Sequence, residues 1–202
     1  MRLHEGQARS INTQEFQQVI ETTLKTSQFP ERDCAILAVS YYAALRAMEI
    51  AALNVEDVLS PEGDIKPTIT LRKAGTKGGK GGVAYLSNPH LQQYLSAYIV
   101  QKRSEKSTTT RAADLKGALF TSRVGKRFSP SSMSRLFTRL YQTAGLEGCT
   151  SHTGRRSAAR NLNRNGVSLY NIQKILRHAD ISQTVRYIDV DTDLLADIVR
   201  TV

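Results

Sequence analysis

The sequence predicts a mainly α fold with one small antiparallel β-sheet, an α+β domain, and three observations carry that prediction. Apolar residues recur at helical spacing through most of the chain. The period changes to alternation only over 61–86, where turn residues separate two short strand-like runs. No internal repeat and no linker divides the 202 residues, a length that buries a sizeable core.

Asn12 caps the first helix with Glu15 as its capping-box partner, and Phe16, Val19, Ile20 and Leu24 form one apolar face. Pro30 precedes a more buried helix over 33–44, and 47–53 makes a short third helix that runs into the acidic pair Glu56 and Asp57. Pro61-Glu62-Gly63-Asp64 is turn chemistry, Thr68-Ile69-Thr70-Leu71 is a strand, and Val83-Ala84-Tyr85-Leu86 is its partner. Between the strands, Lys73, Lys77 and Lys80 stand among glycines in a basic hairpin tip. Asn88 caps and Pro89 opens a helix that turns Leu91, Tyr94, Leu95, Tyr98 and Ile99 to one face, and the polar stretch 101–110 reads as a loop. Residues 129–140 form a capped helix with Met133, Leu136, Phe137 and Leu140 toward the core and Arg135 and Arg139 on another side. A helix over 154–163 stops at Asn165-Gly166, Ser168 caps the next, and 194–199 is a short amphipathic tail behind Asp189, Asp191 and Asp193.

Composition narrows the function. Lys and Arg number 28 against 18 Asp and Glu, a formal net charge of +10 that favours a polyanionic partner, nucleic acid before anionic membrane. No apolar run is long enough to cross a bilayer, and the first ten residues are no signal peptide. Two cysteines, Cys34 and Cys149, make neither a disulfide framework nor a four-cysteine zinc site, which fits a reducing compartment.

The residues that carry chemistry cluster late in the chain. His152 and Arg155 begin a helix, His178 follows Leu176-Arg177, Tyr187 lies just after Arg186, and Arg46 sits far upstream near Glu49. These residue types suit a phosphodiester. Two guanidiniums hold non-bridging oxygens and the charge that grows in a pentavalent transition state. A tyrosine hydroxyl can attack phosphorus and stay attached as an ester, and a histidine or lysine can protonate the leaving oxygen. No carboxylate cluster or metal-ligand spacing accompanies them, so neither a metal nor another cofactor is expected. Each residue also has a plainer role: Arg46 as an ion-pair partner of Glu49, His152 as a helix cap, Lys77 as a solvated hairpin lysine, Tyr187 as a half-buried core ring.

Order and spacing weigh against the plainer roles. Ala44-Leu45-Arg46 with Glu49 and Leu53, the hairpin Lys77-Gly-Gly-Lys80 leading into Val83-Ala84-Tyr85-Leu86, His152 with Arg155, and Leu176 and His178 with Tyr187 together resemble the tyrosine recombinase (phage integrase) family. The resemblance runs from about residue 12 to 198 and takes in Leu119-Phe120, Gly125 and Phe128-Ser129. It implies that family's catalytic-domain fold, a helical bundle with a three-stranded sheet at one edge that binds double-stranded DNA on a concave face. By position Tyr187 matches the nucleophile that forms a 3′-phosphotyrosyl link, and Arg46 and Arg155 match the arginines on the scissile phosphate. His152 matches the histidine between them, His178 the position that supports the phosphate, and Lys77 the hairpin lysine that protonates the leaving 5′-oxygen, with Lys73 and Lys80 as near alternatives.

The resemblance further implies site-specific recombination through a Holliday junction by a homo-tetramer on paired sites, with accessory DNA-bending proteins as compatible partners and no membrane role. The expected setting is the cytoplasm of a bacterium or the host of a phage, at the nucleoid. Residues 1–11 are expected as a flexible lead and 12–202 as the catalytic domain, with a terminal helix over about 193–200 and no separate N-terminal core-binding domain. That layout resembles short inversion-type recombinases, an excised catalytic domain being the other reading. Two departures stand out: Gly154 replaces a frequent leucine before the second arginine, and Arg177 replaces a frequent glycine before His178. DNA contacts are expected from the 73–80 hairpin and from 123–139, Arg127 included. A catalytically silent DNA-binding relic and a type IB topoisomerase-like relaxing activity are the competing functions.

Overall fold

The computed structural model describes residues 8–72, 81–105 and 117–188, together with Arg200. Helix α1 (Thr13–Thr26) starts as its sequence dictates: the Glu15 N–H donates to Asn12 Oδ1 at 2.8 Å and Glu15 Oε2 accepts from the Asn12 N–H at 2.9 Å. It buries Phe16, Val19, Ile20 and Thr23, whereas Leu24, expected on that face, is exposed. Residues 8–11, expected as part of a flexible lead, are docked. Ile11 is buried and its N–H donates to Ser157 Oγ at 2.8 Å, and Arg9 pairs with Glu15.

Helix α2 (Pro30–Tyr42) is the buried centre of the molecule and packs against α1 on one side. It begins earlier than expected because Pro30 fits the first helical turn, where a missing N–H costs nothing. It also ends earlier, because Ala44 adopts a left-handed φ of +54°. Arg46 then caps α3 (Ala47–Ala52), and α4 (Val55–Val58) follows after one turn. Strands β1 (Thr68–Leu71) and β2 (Gly82–Tyr85) pair antiparallel, Thr68 opposite Tyr85 and Leu71 opposite Gly82. Among the described residues the sheet has these two strands, not the three implied by the resemblance, with Leu59 and Ile65 making an isolated bridge before them.

Helix α5 (Pro89–Glu105) lies against α2 and runs through 101–105, the start of the expected loop. Lys102 and Arg103 in its last turn complement the helix dipole, and Lys102 Nζ lies over the Tyr98 ring at 5.6 Å, so polar residues continue the helix without an apolar signal. Helix α6 (Pro130–Thr143) is capped by Ser129 and buries Met133, Leu136, Phe137 and Leu140 as expected. Helix α7 (Thr153–Arg164) closes at Gly166, whose φ of +76° suits glycine. Helices α8 (Leu169–Leu176) and α9 (Ile181–Val185) complete the described fold.

Most apolar side chains join one core around α2, α5 and α6. A second cluster of Ala44, Ala158, Ala159, Ile172 and Leu176 lies between α7 and α8, and Tyr187 packs on it. Gly154 is the device that brings α7 onto α2. A Cβ there would lie 2.5 Å from Ser40 Oγ and 3.1 Å from its carbonyl carbon, so the missing side chain is what lets the start of α7 approach α2 this closely. Among the described residues no helix is long and apolar enough to cross a membrane. Apart from Arg200, which is helical, the expected terminal helix lies outside the described residues, as does the hairpin tip with Lys77.

Candidate active site

A cavity of about 380 Å³ opens where the starts of α3, α6 and α7 meet the α8–α9 connection. Arg46, His152, His178 and Tyr187 all line it, so four of the six expected site residues share one space although 141 residues separate the first from the last. Arg155 is fully buried behind that wall, and Lys77 lies outside the described residues. Local structure sets each position. Arg46 is the N-cap of α3, His152 the N-cap of α7, and His178 follows the αL residue that ends α8. Tyr187 comes just after α9, its N–H on the Thr184 carbonyl at 2.9 Å.

Glu49 organises the arginines. Its Oε1 accepts from Arg46 Nη1 at 2.9 Å, and its Oε2 from the Arg46 N–H at 2.8 Å and from Arg177 Nη2 at 2.9 Å. Burial works against the charge of Glu49, but Arg177, the Arg46 N–H, Arg155 and Arg46 outweigh it and hold the carboxyl below its ordinary range. Arg155 Nη1 donates to the Ala44 carbonyl at 2.6 Å and Nη2 to the Leu176 carbonyl, while its Nε is buried without a partner. The left-handed Ala44 is what turns that carbonyl toward the guanidinium, a strain of a kind often kept at functional sites.

The site carries surplus positive charge. Three guanidiniums, Arg46, Arg155 and Arg177, face Glu49, the one carboxylate among the described residues paired with them. Burial and the two neighbouring arginines push Arg155 down to about 9. Burial, then Arg155, Arg46 and Arg177, push His178 down to about 3, so its imidazole is neutral at pH 7, with Nδ1 2.9 Å from Thr184 Oγ1. An arriving anion relieves this crowding, which makes the cavity suited to a phosphate. The Tyr187 ring lies 5.1 Å from that of His178, its body on the second core and its edge on the cavity, so the plainer structural role is also real. Arg46 likewise both pairs with Glu49 and lines the cavity.

Sequence reasoning missed Met48, Pro130, Ser134 and Gln183 in the lining. The serine-rich cap of α6 was visible, but nothing in it said which neighbour it faces. A second cleft of about 670 Å³ borders the same helix and is lined by Arg32, Arg123, Arg135 and Arg139 with Phe29 and Phe128, and by no acidic side chain. Arg32 is spent on Asp33 at 2.8 Å and on the Thr121 carbonyl. Arg127, expected among the DNA contacts, also has internal partners: its Nη1 donates to the carbonyls of Ala51 and Leu53 at 3.0 and 3.1 Å and its Nη2 to Asn54 Oδ1, so its guanidinium ties α3 to the 121–127 segment while the residue stays exposed.

A mainly helical domain gathers a tyrosine, two histidines and two arginines, Arg46 and Arg186, around one cationic cavity with a further arginine buried behind, a set of residue types suited to a phosphate ester. Residues 9–193 match the model of the phage integrase family, and the chain belongs to that family. It is 29% identical over 192 residues to the tyrosine recombinase XerD of Oceanobacillus iheyensis, covering 95% of this chain and 61% of that protein. With XerD of Staphylococcus epidermidis the identity is 31% over 175 residues, 85% of this chain and 55% of the relative. Among solved structures it resembles the XerA recombinase, with a TM-score of 0.75 at 23% identity over 99% of this chain and 66% of that one. It also resembles XerH bound to a palindromic difH substrate in a post-cleavage complex, with a TM-score of 0.71 at 18% identity. The chain thus spans less than two thirds of the length of these relatives.

Proposed function

We propose that this chain cuts and rejoins DNA strands for site-specific recombination, with Tyr187 as nucleophile. The observation that supports this most is the convergence of Arg46, His152, His178 and Tyr187 on one cavity with surplus positive charge and Arg155 behind it. Tyr187 Oη attacks the scissile phosphorus while its proton passes to His152. The phosphorus–O5′ bond breaks, the strand keeps a 3′-phosphotyrosyl ester, and the 5′-oxygen leaves as a hydroxyl with a proton from Lys77. Arg46 and Arg155 hold the non-bridging oxygens, Arg155 exchanging its carbonyl bonds for the phosphate, and neutral His178 donates a hydrogen bond. The ester conserves the energy of the broken bond, so a second 5′-hydroxyl reverses the step on a new partner. Two paired duplexes have four strands and each protomer one nucleophile, which is why exchange through a Holliday junction takes a homo-tetramer. The partner is double-stranded DNA in the bacterial nucleoid, held partly by the exposed Arg135 and Arg139 beside the site.

The test is trapping of the covalent intermediate. Protein is incubated in EDTA with nicked duplexes, including those spanning its own locus, and then boiled in SDS. We expect DNA that stays attached to the wild-type chain but not to Tyr187→Phe, and exchanged products when two sites are supplied. Relaxed circles without exchanged products would move the reading to a topoisomerase-like activity. Tight DNA binding with no adduct on any duplex would make the chain a silent DNA-binding member of its family.

A further inference from the structure

Arg177 occupies a position that its surroundings do not make easy. It ends α8 with φ +53° and ψ +42°, a left-handed conformation in which glycine is the unstrained residue. Its side chain turns inward, only partly exposed. Nη2 donates to Glu49 Oε2 at 2.9 Å and Nη1 to the Ile175 carbonyl at 2.8 Å. The same Glu49 oxygen accepts the Arg46 N–H, so Arg177 and Arg46 are held by one carboxylate although they stand on different elements. The aliphatic stem fills the space beside β2: a Cβ on Gly82 would lie 2.7 Å from Arg177 Cδ and 3.3 Å from Cγ. One side chain therefore joins the end of α8, the start of α3 and the first residue of β2.

We infer that Arg177 is a positioning residue that locks the phosphate-holding Arg46, through Glu49, to the β1–β2 hairpin and to the turn carrying His178. This rests on the proposed strand cleavage and deepens it. With Arg177 in place, Arg46 is held from two sides, by the geometry of its own helix cap and by a carboxylate that a second cation keeps ionised and oriented. Glycine at 177 would free the backbone and release both the hairpin and Glu49. The pair of a strained arginine at 177 and a glycine at 82 forms one packing unit, which explains why an otherwise unfavourable residue stands here.

The charged and titratable groups that face Glu49 are Arg46 from its own helix, Arg155 from α7, Arg177 and His178 from the end of α8, and Asp57 and Arg72 across a small adjoining cavity. Removing Arg177 takes away a cation that lowers the Glu49 pKa, which then rises. Below that raised value Glu49 is protonated and releases Arg46. The variant should thus lose cleavage as pH falls through a range where the wild type is flat.

The experiment compares wild type, Arg177→Gln and Arg177→Lys in single-turnover adduct formation on a nicked duplex at saturating protein, across pH, with duplex affinity and melting temperature measured alongside. Arg177→Gln should form adduct on the order of 10- to 100-fold more slowly at unchanged affinity, with a new acid limb, since small misplacements at a reacting centre have costs of that size. Arg177→Lys, which keeps the cation, should recover most of the rate and remove the limb. Equal rates for Arg177→Gln and wild type at every pH would overturn the inference. So would a loss that tracks melting temperature and affinity and that lysine does not rescue. If the wild-type chain forms no adduct, strand cleavage itself fails, and amide hydrogen exchange of Arg177→Gln then decides the positioning. Faster exchange at both 46–50 and 82–85 sustains the lock, and unchanged protection overturns it.

Discussion

His178 is surrounded by Arg46, Arg155 and Arg177, and that neighbourhood, after burial, decides its charge. A histidine with a pKa near 3 in the folded chain and near 6.5 unfolded binds its proton more readily when unfolded. Its contribution to stability is therefore complete above the ordinary imidazole value and is lost as pH falls from there toward 3. Glu49 acts in the same direction, because its depressed carboxyl loses stabilising charge as pH falls through its folded value. In a histidine-labelled NMR titration, His178 should keep the shift of a neutral ring at pH 5, and an inflection near 6.5 would refute this account. At Gly154 the constraint is steric. Gly154→Ala forces its new Cβ against Ser40 Oγ and should lower stability by about 1–3 kcal/mol in urea unfolding, the usual cost of overpacking. An unchanged midpoint would mean that α7 can back away from α2.

At the scale of elements, helices with a regular apolar face were legible from sequence, and their local caps were too. Asn12 with Glu15, Ser129 and Ser168 cap α1, α6 and α8 as their spacing predicts. The last turn of α5 was not legible, because Gln101, Lys102 and Arg103 carry helix propensity but no apolar period to announce them. The early end of α2 was equally hidden, since an alanine gives no sign that it will turn left-handed. The order of Arg46, His152, His178 and Tyr187 in the sequence grouped residues that share one cavity, but the side-chain partners of Arg127 and the Glu49 partner of Arg177 lie 73 to 76 and 128 residues away, beyond any local pattern. Arg127 makes the difference testable. Arg127→Ala removes that donor from the Ala51 carbonyl, while the Leu53 carbonyl keeps the Leu119 N–H, and should cost about 0.5–1.5 kcal/mol of stability. It should leave the salt dependence of DNA binding unchanged, and a flatter salt slope at full stability would return Arg127 to the DNA surface.

For the whole molecule, a net charge of +10 overstates what is available to a polyanion. Arg32, Lys102, Arg155 and Arg156 are buried, and Arg46 and Arg177 share Glu49. The cations left facing solvent beside the site include Arg123, Arg135 and Arg139, exposed along one cleft that adjoins the α6 start, where Pro130 and Ser134 line the candidate active site. Under the proposed strand cleavage, a duplex with its scissile phosphate in the cavity finds Arg186 in the lining itself and these arginines along the neighbouring cleft for its flanking phosphates. Each phosphate contact removed should flatten the dependence of log affinity on log salt by about 0.9, independently of DNA sequence. Arg135→Ala and Arg139→Ala should each show that change, and the double variant about twice it, at unaltered melting temperature. Adduct formation at saturating protein should stay near wild type in both, because neither side chain lines the cavity. If instead the slope holds and the rate falls, the cleft does not carry the duplex and α6 acts on the reacting centre alone.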